Sequence, residues 1–179
     1  RLYNMNRAVE YYTLCIPIQY PYVLLGSKKN GSGWSRWNGF VNRVDLNKVP
    51  KANKLLQKYF AGVAQKGLEK AVPGAWPRRL QLMGFIEHNQ KNHPSKCVYV
   101  YSADGILYSG RHDDNLRIAW ARYDCLPYEN MWPDAQLWFP VLLKGEKKFV
   151  VGSHYDEKGN YQDDDYLSET DTIDIQLPK

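Results

Sequence analysis

The sequence predicts an α/β fold in which a mixed β-sheet is sandwiched between α-helices. Short apolar, β-favouring runs recur along the chain, and two segments with a helical spacing of apolar residues interrupt them. No internal repeat or change of composition divides the 179 residues, of which 44% are hydrophobic. Because such a chain is long enough to bury a core, we expect a single domain over residues 1–179.

Two runs near the N-terminus predict adjacent strands. Residues 11–18 and 22–25 are apolar and β-favouring, and a turn that contains Pro21 separates them. Residues 26–33 (GSKKNGSG) are polar and rich in glycine, which predicts a loop leading into W-N-G-F at residues 37–40. The loop lacks the G-x-x-x-x-G-K-[ST] pattern, so by itself it does not indicate a phosphate cradle.

An amphipathic helix is predicted to begin near Pro50 and to end at Gly67. Proline suits the first turn of a helix, and glycine suits its C-terminal stop. Apolar residues recur between them at steps of three and four. They are Ala52, Leu55, Leu56, Tyr59, Phe60, Val63 and Ala64. The opposite face carries Lys51, Lys54, Lys58 and Gln65.

The second half of the chain predicts further strands and one more helix. Strand-like patterns occupy residues 79–87, 96–102, 117–123 and 148–152. Residues 134–143 have the apolar spacing of a helix. The acidic C-terminal segment, residues 153–179, is predicted to end in a last strand at residues 172–177.

The net charge of +5 is unevenly distributed. Residues 151–179 contain eight acidic residues and two lysines, which leaves a charge of +11 for residues 1–150. A basic body with an acidic tail favours either an anionic partner or a contact between the two parts of the chain. The alternative is a solvated surface that keeps the protein soluble.

The three cysteines indicate a reducing compartment. Cys15, Cys97 and Cys125 are odd in number, lack C-x-x-C spacing and lie in apolar surroundings. We therefore predict reduced core thiols in an intracellular protein, without a role in metal binding or catalysis. The missing start methionine and the basic body favour the mitochondrion over the cytosol. No run is long and apolar enough to predict a membrane span.

Two segments contain an unusual density of tryptophan, glycine and proline. Residues 23–40 read VLLGSKKNGSGWSRWNGF, and residues 120–143 read WARYDCLPYENMWPDAQLWFPVLL. In these segments the chain resembles the Nudix hydrolase family, specifically the MutT-homologue branch that destroys oxidised purine nucleoside triphosphates. The resemblance implies the Nudix fold.

The resemblance also implies a pocket for a purine base. Asn38, Trp132 and Asp134 match family positions that form hydrogen bonds with the purine or stack on it. Tryptophan offers a flat apolar wall, and a carboxylate accepts hydrogen bonds from purine N–H groups. The second aspartate of the family's pair is replaced by Ala135. We therefore interpret the three residues as a vestigial substrate-binding site.

The metal-binding signature of the family is not preserved. That signature, G-x5-E-x7-R-E-U-x-E-E-x-G-U with U apolar, places glutamates about one helical turn apart so that they bind magnesium together. Asn42 and Lys48 stand at its first glycine and first glutamate, and Asn115 stands where the family has a further glutamate in a loop. Counting back from Gly67 assigns the remaining arginine and glutamates to Phe60, Ala61, Ala64 and Gln65.

This segment is rich in lysine and lacks acidic residues. No Asp or Glu lies between Asp45 and Glu69, whereas five lysines do. Such a helix would repel a divalent cation. The sequence therefore predicts no catalytic residue, no metal ligand and no cofactor in this chain.

Three functions follow from these observations. We favour a catalytically inactive subunit with a structural or interaction role in a larger assembly, whose partners are other protein subunits. Contacts with a partner or with phosphate are predicted for Lys28, Lys51, Lys54 and Lys58.

The first alternative is a hydrolase of oxidised purine nucleoside triphosphates of the 8-oxo-dGTP type. It would use Mg²⁺ held by relocated ligands, for which Asp113, Asp114 and Glu87 are the candidates. The second alternative is a nucleotide or RNA binder without hydrolysis, with the basic helix on phosphates and Trp132 on a base.

Overall fold

The protein is built from one sheet and two helices. The computed structural model describes residues 8–108, 110–162 and 165–177. The strands are β1 (Val9–Gln19), β2 (Tyr22–Asn30), β3 (Gly33–Trp34), β4 (Phe40–Arg43), β5 (Arg79–Gln90), β6 (Ser95–Asp104), β7 (Leu116–Arg122), β8 (Lys148–Tyr155) and β9 (Tyr166–Thr170). The helices are α1 (Asn53–Ala71) and α2 (Ala135–Lys144), with short 3-10 turns at Leu46–Lys48 and Tyr128–Asn130. Neither helix in this described part of the chain is long and apolar enough to cross a membrane.

The described strands form one nine-stranded mixed sheet, which confirms the predicted fold class. The strand order is β3-β2-β1-β6-β5-β8-β9, while β4 pairs with β1 and β7 with β2. Two pairs, β1 with β6 and β5 with β8, are parallel, and the other pairs are antiparallel. β2 and β4 therefore lie on the same side of β1.

The alternating strand residues divide the core into two layers. On β1, Cys15 packs on one face of the sheet, whereas Leu14 and Ile16 pack on the other. α1 covers the first face with Leu56, Phe60, Val63, Ala64 and Leu68. α2 covers the second face with Ala135, Trp138, Phe139, Val141 and Leu142. The sheet thus lies between the two helices, as the sequence predicts.

The predicted end of the first helix at Gly67 is wrong, because α1 continues to Ala71. Gly67 lies inside the helix and against β4, where an added Cβ would be 2.9 Å from the Cβ of Asn42. The close approach of helix and strand therefore requires glycine here. Leu55 also differs from the prediction, since it is 54% exposed. Successive helical residues are about 100° apart, and Leu56 occupies the position that faces the core.

Two predictions about loops and strands are also wrong. β2 continues to Asn30, so the predicted loop at residues 26–33 is mostly strand. Antiparallel pairing with β7 extends along β2 as far as Lys28, and these backbone hydrogen bonds outweigh the glycine content. The last strand is β9, whereas residues 172–177 lie outside the strands. Instead, Ile173, Ile175 and Leu177 pack against the α1 side of the core.

Burial distinguishes the three cysteines. Cys15 is buried and Cys97 is partly buried, but Cys125 is exposed, so the prediction of a core thiol is wrong for Cys125. Burial raises the pKa of Cys15 to about 12. Burial, with a smaller contribution from the charge of Glu87, raises the pKa of Cys97 to about 11. Both thiols therefore stay protonated near neutral pH and are poor nucleophiles.

Candidate functional site

A cleft of about 850 Å³ lies between β2, β4 and the C-terminal end of α1. Gly67, Lys70 and Ala71 form its helical wall, and Asp113 and Asn115 contribute from the loop before β7. The Asp113 amide donates a hydrogen bond to the Ala71 carbonyl at 3.0 Å, and the Lys29 amide donates to the Asn115 carbonyl at 2.9 Å. The loop is thereby fixed to both the helix and the sheet.

The charged side chains that line this cleft are mostly basic. They are Lys28, Lys29, Arg36 and Lys70, together with the carboxylate of Asp113. None of the four cations forms a salt bridge with a carboxylate of the described residues. The Asp113 Oδ1 accepts a hydrogen bond from the Asn115 amide at 2.9 Å. The cleft therefore favours an anionic ligand.

A smaller cavity of about 160 Å³ adjoins the cleft. Asn38, Val41 and Trp132 line both spaces, so the two meet at these residues. The wall of the small cavity is largely apolar and aromatic. It includes Leu14, Trp37, Ile86, Val98, Met131 and Trp138. An apolar wall with a few polar groups is typical of a binding site for a flat heterocycle.

Asp134 is the buried carboxylate of the small cavity and is only 4% exposed. The Trp138 indole Nε1 donates a hydrogen bond to its Oδ2 at 2.9 Å, and the Tyr155 hydroxyl donates to its Oδ1 at 2.6 Å. Burial, and secondly the charge of Asp134, raise the pKa of Tyr155 far above its ordinary value of 10. The hydroxyl therefore remains a donor. These two donors fix the carboxylate, while each oxygen retains a second lone pair for a ligand.

His88 completes the aromatic wall beside Asp134. Its ring stacks on Tyr155 with centroids 4.7 Å apart and meets Trp132 edge to face at 4.9 Å. Burial lowers the pKa of His88 from 6.5 to about 4, although the charge of Asp134 opposes this shift. The imidazole is therefore neutral at physiological pH. It contributes a ring surface and hydrogen-bonding nitrogen atoms to the site.

Trp132 separates the two spaces and contacts a cation. The guanidinium carbon of Arg36 lies 4.3 Å from the Trp132 ring centroid, which is a cation–π geometry. Arg36 Nη1 also donates a hydrogen bond to the Met131 carbonyl at 3.3 Å. Arg36 is thus held at the boundary between the basic cleft and the aromatic cavity.

Asn38 has a side-chain donor that can serve a ligand. Its Oδ1 accepts a hydrogen bond from the Gly39 amide at 2.8 Å, and its backbone exchanges hydrogen bonds with Gly26. No described residue accepts a hydrogen bond from its Nδ2. The backbone therefore fixes Asn38, and its amide nitrogen is available to a carbonyl or ring nitrogen in the cavity.

The structure brings together the three residues predicted for the base pocket. Asn38, Trp132 and Asp134 all line the small cavity, and Ala135 lines it beside them. Lys28, for which a contact with phosphate or with a partner is predicted, lines the cleft. The other three predicted lysines, Lys51, Lys54 and Lys58, line neither space.

The residues assigned to the metal-binding signature by counting back from Gly67 do not line the cleft. Phe60 and Ala64 are fully buried in the core and do not reach it. The residues of α1 that face the cleft are Gly67, Lys70 and Ala71. Lys70 was not identified from the sequence, although its position three residues after Gly67 places both on one helical face. His88, Tyr155 and Arg36 were also not identified as site residues from the sequence, because only the fold brings them beside Trp132.

The described residues do not fit a preformed magnesium site. They contain no group of three or more His, Cys, Asp or Glu side chains that could hold a metal ion. Of the relocated ligands considered, only Asp113 lines the cleft, whereas Asp114 and Glu87 line neither space. Magnesium usually keeps several waters and is held by one or two carboxylates together with substrate phosphates, and Asp113 is the carboxylate that the described residues place in the cleft.

Relatives of this chain share its length and fold. No family model matches the sequence. The chain is 32% identical over 157 residues to the oxidized purine nucleoside triphosphate hydrolase of Mus musculus, covering 87% of this chain and 89% of that protein. It is 29% identical over 141 residues to the protein of the same name from Danio rerio, covering 77% and 81%. A MutT protein from Bacillus halodurans, 13% identical, superposes with a TM-score of 0.65 over 88% of this chain and 97% of that one.

The superposition assigns the fold to that of the Nudix proteins, a mixed β-sheet with helices. The sequence identity to the named hydrolases identifies the family as well as the fold. This chain belongs to the MutT-type Nudix family that includes the oxidized purine nucleoside triphosphate hydrolases.

These relatives correct the function favoured from the sequence. The interpretation as a catalytically inactive structural subunit is wrong, because the relatives that span most of the chain are named as hydrolases. Loss of the signature glutamates led to that interpretation. It treated the base pocket as vestigial and did not take account of the basic cleft, which lies next to that pocket in the folded chain. Partner proteins and the mitochondrial location stay predictions.

Proposed function

We propose that this protein hydrolyses oxidised purine nucleoside triphosphates. One observation carries the proposal: a small aromatic cavity and a large basic cleft lie next to each other and share Asn38, Val41 and Trp132 on their walls. A purine nucleoside triphosphate has the matching order of groups, with a flat heterocycle at one end and a polyanion at the other. The names of the relatives from mouse and zebrafish support the same substrate class.

In the small cavity, this chain supplies polar groups suited to a purine. Asn38 Nδ2 donates to a carbonyl or ring nitrogen, and the fixed carboxylate of Asp134 accepts from an N–H group. An oxidised purine with an 8-oxo group carries an additional carbonyl and an additional ring N–H. These groups make it a better hydrogen-bonding partner for such a pair than the unmodified base.

In the cleft, the basic side chains stabilise negative charge on the phosphates as the P–O bond breaks. Asp113 is the carboxylate of the described residues that lines this space, and we assign it the role of orienting and deprotonating the attacking water. Water breaks the bridge between the α- and β-phosphates and yields a nucleoside monophosphate and inorganic diphosphate, and the proton of the water passes to Asp113. Magnesium supplied with the nucleotide would further neutralise the phosphates, but no step above depends on it.

The test is turnover of 8-oxo-dGTP against dGTP, measured as product formation by chromatography. We expect 8-oxo-dGTP to have a kcat/KM at least about tenfold above that of dGTP, a difference that one or two matched hydrogen bonds supply. Thermal stabilisation by the nucleotide without turnover would overturn the hydrolase proposal. It would instead support the nucleotide-binding alternative.

Asp113→Asn tests the assigned role of the carboxylate. The asparagine keeps an oxygen for the Asn115 amide, so the loop stays intact, but it cannot take a proton. We expect kcat to fall about 100-fold or more, as for the loss of a general base. Asp114→Asn is the matched control, because its exposed side chain lines neither space, and its rate should stay within about twofold. Equal rates for the two variants would refute the assignment.

A further inference from the structure

The cleft has the wrong charge to bind a divalent cation and the right charge to bind a triphosphate. Its described charged residues are four cations and one carboxylate. The four cations are not neutralised by ion pairs with described carboxylates. A bound Mg²⁺ would be repelled by these side chains, whereas a triphosphate would be attracted by each of them.

The position of Lys70 reverses the electrostatics of the helix end. The C-terminal end of α1 faces the cleft through Gly67, Lys70 and Ala71. Without a basic side chain this end carries about half a unit of negative charge, which repels phosphate. The full positive charge of Lys70 in the last turn exceeds that amount. The helical wall of the cleft therefore has a net attraction for anions.

The remaining cations line the cleft from other segments of the chain. Lys28 and Lys29 lie near the end of β2, and their backbone is fixed by hydrogen bonds with Ser35 and Asn115. Arg36 is held by Trp132 and by the Met131 carbonyl, at the junction with the base cavity. A polyanion that extends from Trp132 into the cleft therefore enters a space lined by cations from β2, from Arg36 and from the last turn of α1.

We propose that Lys28, Lys29, Arg36 and Lys70 bind the triphosphate directly and neutralise its charge, so that nucleotide binding needs no divalent cation. This inference deepens the proposed function and rests on it for the identity of the ligand. The charge neutralisation that a metal supplies elsewhere in the family is here supplied by side chains. Magnesium that complexes the triphosphate in solution reduces the charge available to these cations, so it competes with the protein for the ligand.

The experiment measures binding of inorganic triphosphate by titration calorimetry, with EDTA and with excess magnesium. Inorganic triphosphate lacks a base and therefore tests the cleft alone. We expect binding in EDTA that is as tight as, or several-fold tighter than, binding in magnesium. Binding that requires magnesium, or no binding under either condition, would overturn the inference.

Charge variants identify the residues responsible. Lys70→Met should weaken the affinity for inorganic triphosphate in EDTA about tenfold, the effect of losing one charge-assisted contact. Lys58→Met is the matched control, since it removes the same charge from α1 at a position that lines neither space. Lys70→Glu should abolish binding in EDTA and restore part of it with magnesium. Equal affinities for Lys70→Met and Lys58→Met would refute the role of Lys70.

The two proposals fail in different ways. Absence of turnover with tight, metal-independent binding of inorganic triphosphate removes the hydrolase activity and supports the basic cleft as a phosphate site. Turnover of 8-oxo-dGTP together with magnesium-dependent binding supports the activity and removes the inference. Circular dichroism of each variant measures whether the fold is retained. We expect that it is, because the side chains of Lys70 and Lys58 are exposed.

Discussion

At the scale of single residues, the small cavity contains a carboxylate, Asp134, that is held in place by hydrogen bonds from other side chains of the protein. Asp134 is recognisable in the sequence because it follows M-W-P, and it lines the same small cavity as Trp132 and Asn38. Of the two side chains that donate hydrogen bonds to Asp134, only one was predictable from the sequence. Trp138 lies one helical turn away, but Tyr155 comes from β8 and approaches only when the sheet forms.

Removing one of these donors should destabilise the protein. Tyr155→Phe leaves the buried Asp134 Oδ1 without its 2.6 Å hydrogen bond. We expect the free energy of unfolding to fall by about 1.5–3 kcal/mol, the usual range for a hydrogen bond to a charged group. Urea denaturation measures the change. The control is Tyr20→Phe, because Tyr20 is 82% exposed and its loss should cost less than about 0.5 kcal/mol. Equal losses in the two variants would contradict this account.

At the scale of elements, the contact between α1 and β4 decides where the cleft lies. The periodicity of apolar residues predicted α1 itself, because Leu56, Phe60, Val63 and Ala64 recur on one face. Its end was mispredicted, since glycine stops many helices and the sequence contains no sign of the close approach to Asn42. That error also hid Lys70, which lies in the last turn and faces the cleft.

Two glycine-to-alanine changes in α1 should have opposite effects. Gly62→Ala adds a methyl group where nothing lies within 4 Å, so higher helix propensity should stabilise the protein by about 0.5–1 kcal/mol. At Gly67 the new Cβ would be 2.9 Å from Asn42 Cβ. Overpacking of about 1–3 kcal/mol then offsets the gain in propensity and makes the net effect unfavourable or nearly zero. Chemical denaturation of both variants tests the difference. A Gly67→Ala protein that is more stable than the unchanged protein would show that β4 moves away from the added methyl group at little cost in free energy.

At the scale of the whole molecule, the strand and helix order of the sandwich was predictable and the charge balance of the site was not. Hydrophobic patterns predicted most strands and both helices, because burial on either side of a sheet constrains every second residue. The acidic-residue count between Asp45 and Glu69 correctly indicated that the signature was lost. It did not indicate function, since the cleft is formed from four separated segments whose charges combine only after folding.

The stability of the folded chain should depend on pH through His88. Burial lowers the pKa of His88 from 6.5 to about 4, so the unfolded chain binds more protons between these values. The stabilisation by neutral His88 is thus complete above about pH 6.5 and is lost as the pH falls towards 4, with a total of about 3 kcal/mol. His88→Gln should show a shallower fall in Tm over this range. Identical pH profiles for the two proteins would refute the burial effect.

Because Trp132 and Asn38 line both spaces, the affinity for a ligand should depend on how its heterocycle and its phosphates are linked. On the proposed function, a free heterocycle or a free polyphosphate would fill one of the two spaces and gain none of the contacts in the other. When a sugar joins the two at the correct spacing, the second half binds at high effective concentration once the first is seated. Molecules with a longer or shorter spacer lose this advantage, although every chemical group is present.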